Sequence, residues 1–228
     1  MDKEGALAEI ICGDSLEVVG DLGKFDYLIT DPPYPTGMTG ASLRNTPQHL
    51  VARSMMDNLF QSFLVGVIKR IRKADSFSIW MFCDWRQVSY FSTIFKSLGW
   101  SSQSCIVWDK VAIGLSSKYR SRHELILYAS NKPIKMGSLN LGPDIIAVKR
   151  VPPMSKTHPF EKPPELVERI AGKFKPGRVL DPFCGTGGLL VGAKSLGWEV
   201  VGIDVDKDAC DIARKRLDNI NGRFKTDG

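Results

Sequence analysis

From Arg178 to Asp206 the chain reads RVLDPFCGTGGLLVGAKSLGWEVVGIDVD. A short apolar run ends at Asp181, a glycine-rich turn follows, a helical pattern opens near Gly188, and a second apolar run ends at Asp204. Strand, glycine loop, helix, strand and terminal acid, in that order, is the layout that holds a nucleoside-containing cofactor at the edge of an open α/β sheet. Gly185, Gly187 and Gly188 permit a tight turn and close approach of a ligand to the backbone. Asp204, nineteen residues beyond Gly185, is placed to accept hydrogen bonds from a ribose diol. No Gly-Lys-Ser/Thr follows the glycines, so the loop is not a P-loop. The layout alone leaves both a dinucleotide and S-adenosylmethionine open. Asp181 shifts the choice, because a carboxylate beside the glycines repels a pyrophosphate and suits the cationic methionine end of S-adenosylmethionine.

Outward from this stretch, short apolar runs alternate with segments of helical period, the signal of a mostly parallel sheet covered on both faces. Strands are expected at Ala8–Cys12, Phe25–Thr30, Phe77–Cys83, Ser104–Trp108, Glu124–Ala129, Arg178–Leu180 and Glu199–Ile203. Helices are expected near 48–73, 86–98, 163–174, 187–196 and 206–220. The last is capped by Asp206 and carries one apolar stripe of Ala209, Ile212, Ala213, Leu217 and Ile220. No helical pattern joins Ser104–Trp108 to Glu124–Ala129, so these two are expected to pair antiparallel at one edge. Phe77, Trp80 and Phe82 read as core. Residues 35–47, 111–122 and 131–157 are long polar connections, of a length often put to functional use.

The run Phe25–Tyr34, FDYLITDPPY, carries a second signature. Two prolines stop the strand and leave Asp31 at its carboxyl end, the ligand edge of an open α/β sheet. An exocyclic amine of a nucleobase is a poor nucleophile, its lone pair being delocalised into the ring. The Asp31 carboxylate and the Pro32 carbonyl can each accept one N–H of such an amine, directing the lone pair at an electrophile. Pro33 keeps the turn rigid and adds no competing donor, and Tyr34 offers a face on which an extruded base can stack.

Together Asp31-Pro32-Pro33-Tyr34 and the loop Asp181-Pro182-Phe183-Cys184-Gly185-Thr186-Gly187 resemble motifs IV and I of the amino-methylating DNA methyltransferases. The catalytic tetrapeptide precedes the cofactor loop, which is similar to the circularly permuted motif order of the β group. The resemblance implies an α/β, Rossmann-like S-adenosylmethionine-dependent methyltransferase fold, with a mostly parallel seven-stranded sheet containing one antiparallel strand. It covers nearly all of residues 1–228 as one domain: a catalytic half to about 130, a short variable recognition segment at about 131–157, and a cofactor half at about 158–228. Cys12-Gly13-Asp14-Ser15 resembles motif III, so Asp14 and Ser15 are implied against the cofactor. His158-Pro159-Phe160-Glu161-Lys162-Pro163 resembles motif X, which assigns His158, Pro159 and Lys162 to the methionine portion. Asp204 and Val205 complete the implied cofactor shell, and Asp31 itself borders it. His123-Glu124 resembles a late motif on the catalytic side. An aspartate at the first position of the tetrapeptide usually accompanies adenine N6, and a serine cytosine N4, so the resemblance implies adenine. Cytosine N4 and a catalytically silent nucleic-acid-binding relative are the alternatives. A nicotinamide oxidoreductase is the more distant one.

The remaining features fit this reading. With 31 Lys+Arg against 25 Asp+Glu the 228-residue chain carries a formal charge of +6, which suits a polyanionic partner such as double-stranded DNA. Lys118, Arg120 and Arg122 on the Ser-rich connection are candidate phosphate contacts, whereas the charges of 207–216 read as an exposed helix face. Trp85, just past a strand, is a candidate for the pocket lining. The five cysteines form no Cys-x-x-Cys pair and the three histidines lie far apart, so neither a disulfide framework nor a metal site is expected. No cysteine follows a proline, which excludes the residue pair of cytosine C5 methylation. The N-terminus lacks a signal-peptide pattern and no apolar run spans a bilayer, so a cytoplasmic protein is expected. Only about 26 residues separate the late motif from His158, where the family often carries a large recognition region; the resemblance therefore implies a short target site or a second subunit, since the β group often dimerises. A restriction endonuclease is a further companion that the resemblance allows.

Overall fold

The computed structural model describes residues 7–32, 47–100, 102–113, 119–132, 142–151 and 162–223, the side chains of 47–58, 102–103 and 221–223 excepted. Its strands are β1 (Ala8–Cys12), β2 (Phe25–Thr30), β3 (Lys73–Cys83), β4 (Ser102–Asp109), β5 (His123–Ser130), β6 (Ile145–Ala147), β7 (Arg178–Asp181) and β8 (Glu199–Asp204). Its helices are α1 (Ser15–Val18), α2 (Pro47–Arg70), α3 (Val88–Ser97), α4 (Pro164–Ala171), α5 (Gly188–Ser195) and α6 (Lys207–Arg223), with a 3-10 turn at Trp85–Gln87 before α3. They build one sheet in the order β1-β8-β7-β2-β3-β5-β4-β6. Every neighbouring pair is parallel except β3–β5 and β5–β4. β5 is thus the one antiparallel strand, as the missing helix between β4 and β5 predicts.

Two details depart from the expected sheet. Among the described residues it has eight strands rather than seven, because Ile145–Ala147 adds parallel to β4 and so moves β4 off the edge. Three residues are too few to display a period of two, so the run is indistinguishable in sequence from a loop. What recruits it is burial, since Ile146 is 7% exposed while Ile145 is 61% exposed. The second departure is α1, a single turn that Asp14 caps by accepting the Leu16 N–H at 2.8 Å.

The period-two alternation of β3 divides the core. Phe77, Ile79 and Met81 face α2 and α3, joining Phe25, Leu28, Leu64, Ile68, Phe91 and Phe95. Trp80 and Phe82 face the other side, with Leu166, Val167, Leu189 and Leu190 of α4 and α5 and with Leu217 of α6. Phe77 therefore shares its face with Ile79 and Met81 and opposes Trp80. Trp80 is 1% exposed and lies 4.7 Å, ring to ring, from Phe174. Truncating a tryptophan so enclosed costs about 3–5 kcal/mol. Close helix packing needs glycine at Gly192, where a Cβ would come within 2.4 Å of the Pro164 carbonyl oxygen. Among the described residues, no helix is long and apolar enough to cross a membrane.

Candidate active site

Six neighbouring strands bring the functional positions to one edge of the sheet. β1, β8, β7 and β2 run parallel, so their carboxyl ends, and with them Asp14, Asp204, Asp181 and Asp31, stand side by side. β3 continues the row, and because β5 runs the opposite way it presents its first residues, His123 and Glu124, at the same edge. A parallel sheet thereby converts four acids, distant in sequence, into one acidic ledge.

The glycine loop is held from beneath by the strands around it. The Cys184 N–H donates to the Ile203 carbonyl at 2.9 Å and the Gly13 N–H to the Asp204 carbonyl at 2.9 Å. Ser15 closes the far side by donating its hydroxyl to the Pro182 carbonyl. Gly185 and Gly187 have φ of +50° and +76°, the left-handed region that a side chain disfavours. A Cβ on Gly187 would also press on Ala213 of α6 at 3.1 Å. Asp204 accepts the Gly185 N–H at 2.7 Å on one oxygen and the Asp206 N–H at 2.9 Å on the other. These bonds fix the rotamer while leaving each oxygen a further lone pair for a hydroxyl donor. Val205 beside it is 72% exposed.

Asp181 is 2% exposed and accepts the Thr30 hydroxyl at 2.8 Å and the Phe183 N–H at 3.1 Å on Oδ1. Burial pushes its carboxyl up to about 7, with the charges of Asp31 and Asp204 adding to the rise. Acids at the ends of β1, β7 and β8 fit a ligand offering an ammonium, a sulfonium and a ribose diol, and repel a pyrophosphate. The donor set therefore fits S-adenosylmethionine, which presents an electrophilic methyl group when bound. Two loop side chains turn away from the ledge. Cys184 is buried in the core beside Leu189 and Leu190, and burial raises its thiol; Phe183 packs on Phe63 of α2 at 5.9 Å between ring centres. For these two, only the backbone borders the ledge. Thr186 is tied to α6 by Arg216, which donates to its carbonyl at 3.0 Å.

The catalytic side is built differently. Asp31 Oδ2 lies 2.7 Å from the Lys162 ammonium, which also lies 2.8 Å from Glu124 Oε2. Glu124 Oε1 in turn is 3.4 Å from the Lys110 ammonium. The Lys162 ammonium stands over the rings of Phe82 at 5.3 Å and Trp108 at 5.8 Å. Burial raises the Asp31 carboxyl and the nearby Glu124 charge adds to the rise, against the opposing pull of Lys162. Burial would likewise raise Glu124, but Lys162 and Lys110 outweigh it and hold that carboxyl below its ordinary range. Burial would lower Lys162, but Asp31 and Glu124 outweigh it and the ammonium is held above its usual value.

The motif resemblance points Lys162 at the methionine portion of the cofactor; its side chain reaches the Asp31 carboxylate, which borders the same ledge. Glu124, named in sequence only as part of the late motif with His123, joins the site through Lys162. Pro33, Tyr34, His158, Pro159 and Lys118 lie outside the described residues. Arg122 forks onto Asp109, with Nε and Nη2 at 2.6 and 2.7 Å from its two oxygens, and Arg120 is exposed beside it. Trp85 is 72% exposed past the end of β3.

Known proteins share this architecture. A methyltransferase of Streptococcus pneumoniae, type II M2.DpnII, is 29% identical over 226 residues, covering 87% of this chain and 84% of its own. The fold overlays a complex of M1.HpyAVI with S-adenosylmethionine at a TM-score of 0.69 and 23% identity, covering 92% of this chain and 99% of that one. It overlays the cytosine-N4-specific PvuII DNA methyltransferase at a TM-score of 0.64 and 14% identity, covering 96% and 92%. The DNA methylase family matches residues 25–215, a span holding both the Asp-Pro-Pro-Tyr run and the glycine loop. Asp31 and the acidic ledge thus sit inside a match covering most of the sequence, and the chain belongs to the S-adenosylmethionine-dependent N6/N4 DNA methyltransferases.

Proposed function

We propose that the protein methylates the N6 amine of adenine in double-stranded DNA, acting directly on a base turned out of the helix. The observation that carries the reading is an aspartate, Asp31, at the head of Asp-Pro-Pro-Tyr, at a strand end adjoining the acidic ledge. Asp31 accepts one N–H of the amine and the Pro32 carbonyl accepts the other, so the nitrogen lone pair is aimed at the ledge. The nitrogen bonds to the methyl carbon as the carbon–sulfur bond breaks, and that bond's electron pair stays on sulfur. The proton that the alkylated nitrogen must shed is already shared with Asp31, whose burial raises its affinity for a proton. Tyr34 stacks on the extruded base. Because Asp31 must be ionised to accept an N–H, activity falls on acidification at a higher pH than an ordinary carboxylate would impose.

Incubating the protein with unmethylated genomic DNA and labelled S-adenosylmethionine, then resolving the nucleosides by mass spectrometry, tests the reading. N6-methyladenine is the expected product. N4-methylcytosine replaces this reading with the second one, which the likeness to the cytosine-N4-specific PvuII enzyme favours. Label in neither nucleoside overturns both. The reading includes a homodimer, which a sizing run showing one chain per bound duplex would remove.

A further inference from the structure

Lys162 is the least expected part of the site. Its backbone is pinned at the start of α5, where a Cβ on Gly188 would meet the Lys162 carbonyl oxygen at 2.7 Å. From there the side chain, 10% exposed, runs to Asp31 on one strand end and Glu124 on another. The ring of Trp108 beneath the ammonium is itself fixed, its Nε1–H donating to the Val148 carbonyl at 2.8 Å. An ammonium so enclosed is retained only with acids matched to it. Glu124 is the one of its two acids that takes no part in the transfer described above.

We propose that Lys162 is a positioning residue for methyl transfer: it holds Oδ2 of Asp31, leaving Oδ1 to accept the target amine, and Glu124 keeps Lys162 in place. The proposal rests on the reading of Asp31 as acceptor of the amine. A charged partner restrains a carboxylate more firmly than a neutral one and keeps it anionic where burial favours the protonated form. Among the described residues, the titratable groups facing Asp31 are Asp181 from β7, Cys83 from β3, Glu124 from β5 and Lys162 ahead of α4. Lys162 is the cation of that set. Removing it should make Asp31 harder to ionise, and removing the Glu124 charge should make it easier.

The test profiles kcat against pH for the full chain, with unmethylated genomic DNA and labelled S-adenosylmethionine, alongside cofactor affinity by calorimetry. Lys162→Met is expected to lower kcat at neutral pH at least tenfold and to move the acid limb of the profile up by about one pH unit. Cofactor affinity should stay within about twofold. Glu124→Gln, which keeps an oxygen for the ammonium, is expected to lower kcat a few-fold and to move the same limb down. Opposite movements are not produced by a merely structural role. Limbs that stay put in both variants, or that move the same way, overturn the proposal, as does a Lys162→Met loss confined to cofactor affinity. Should Lys162→Met fail to fold, the direction at Glu124→Gln decides alone, a downward move supporting the proposal and any other overturning it. Asp31→Asn separates the two levels: wild-type turnover in that variant defeats the reading of Asp31, whereas a dead Asp31→Asn beside unmoved limbs defeats only the role of Lys162.

Discussion

Asp181 and Asp31 stand at the ends of adjacent strands, and the chain surrounds them in opposite ways. Among the described residues Asp181 receives neutral donors, the Thr30 hydroxyl and the Phe183 N–H, and the same holds for the backbone donors at Asp204. Asp31 instead receives a full positive charge from Lys162, backed by Glu124. On the proposed function, the difference follows from what each acid would meet. An acid that receives a cationic ligand loses its purpose if an internal cation neutralises it first, so dipoles fix its rotamer and leave its charge uncompensated. An acid that must grip a neutral amine gains nothing from its ligand's charge, so the protein supplies a cation of its own.

The largest test of this contrast is Asp31→Asn. It puts an NH₂ or a neutral oxygen where the anionic acceptor stood, and turnover should fall about 10³-fold, on the scale of losing a main electrostatic contact to the transition state. Cofactor affinity should hold within about twofold by calorimetry. A variant keeping a tenth of wild-type turnover would show that the anionic acceptor at Asp31 is dispensable.

Asp181→Asn probes the other acid through stability. The folded protein holds the Asp181 proton up to about 7, against 3.8 for the ordinary carboxyl. Between those values the folded state binds more protons than the unfolded chain, so rising pH removes stability across the window from about 4 to about 7. At about 1.4 kcal/mol per pH unit, the deficit by pH 8 is on the order of 4 kcal/mol. An asparagine keeps an oxygen for Thr30 and Phe183 and never ionises. The variant should therefore match the wild type near pH 4 and exceed it by a few kcal/mol at pH 8 in urea denaturation, while binding S-adenosylmethionine more weakly. Equal stability at both pH values would show that the buried charge is compensated after all.

Asp204→Asn should act more mildly. Its carboxylate holds the loop through the Gly185 and Asp206 N–H groups, and an amide offers one acceptor where two are needed. A loss of about tenfold in cofactor affinity is expected from one charged hydrogen bond. Turnover at saturating cofactor should change by less than threefold, the reverse of the pattern at Asp31.

The same contrast explains which parts of the site are legible in the sequence. The glycine loop, Asp181 and Asp204 lie within one contiguous stretch whose contacts are mostly between near neighbours, so their spacing spells out their arrangement. The strands came through because both faces of the sheet are buried, and Trp80 and Phe82 against Ile79 and Met81 display that burial directly. Lys162 meeting Asp31 and Glu124 depends on two strand ends and the start of α5 converging, which no local pattern encodes. The strand Ile145–Ala147 escaped for a related reason, being defined by its neighbour β4 and not by its own three residues.

Arg122 gives the smallest effect and carries the logic of matched charge to the DNA side. Both Asp109 oxygens face its guanidinium, and Asp109 Oδ1 also accepts the Val111 N–H at 2.9 Å, where Val111 has φ of +53°. Lys110 donates its N–H to the Arg122 carbonyl at 2.9 Å, so the fork closes the base of a loop. A guanidinium already paired with a carboxylate releases few counterions by moving to a phosphate. Arg122→Ala should change the slope of log affinity against log salt by less than about 0.5, where a full phosphate contact contributes about 0.9. Asp109→Ala, which unmatches the cation, should steepen the slope by up to that amount in filter-binding titrations on duplex DNA. A steep loss in Arg122→Ala would mean that DNA pulls the guanidinium away from Asp109, and that the ion pair seen here is a resting arrangement in the way that the proposal for Lys162 does not require.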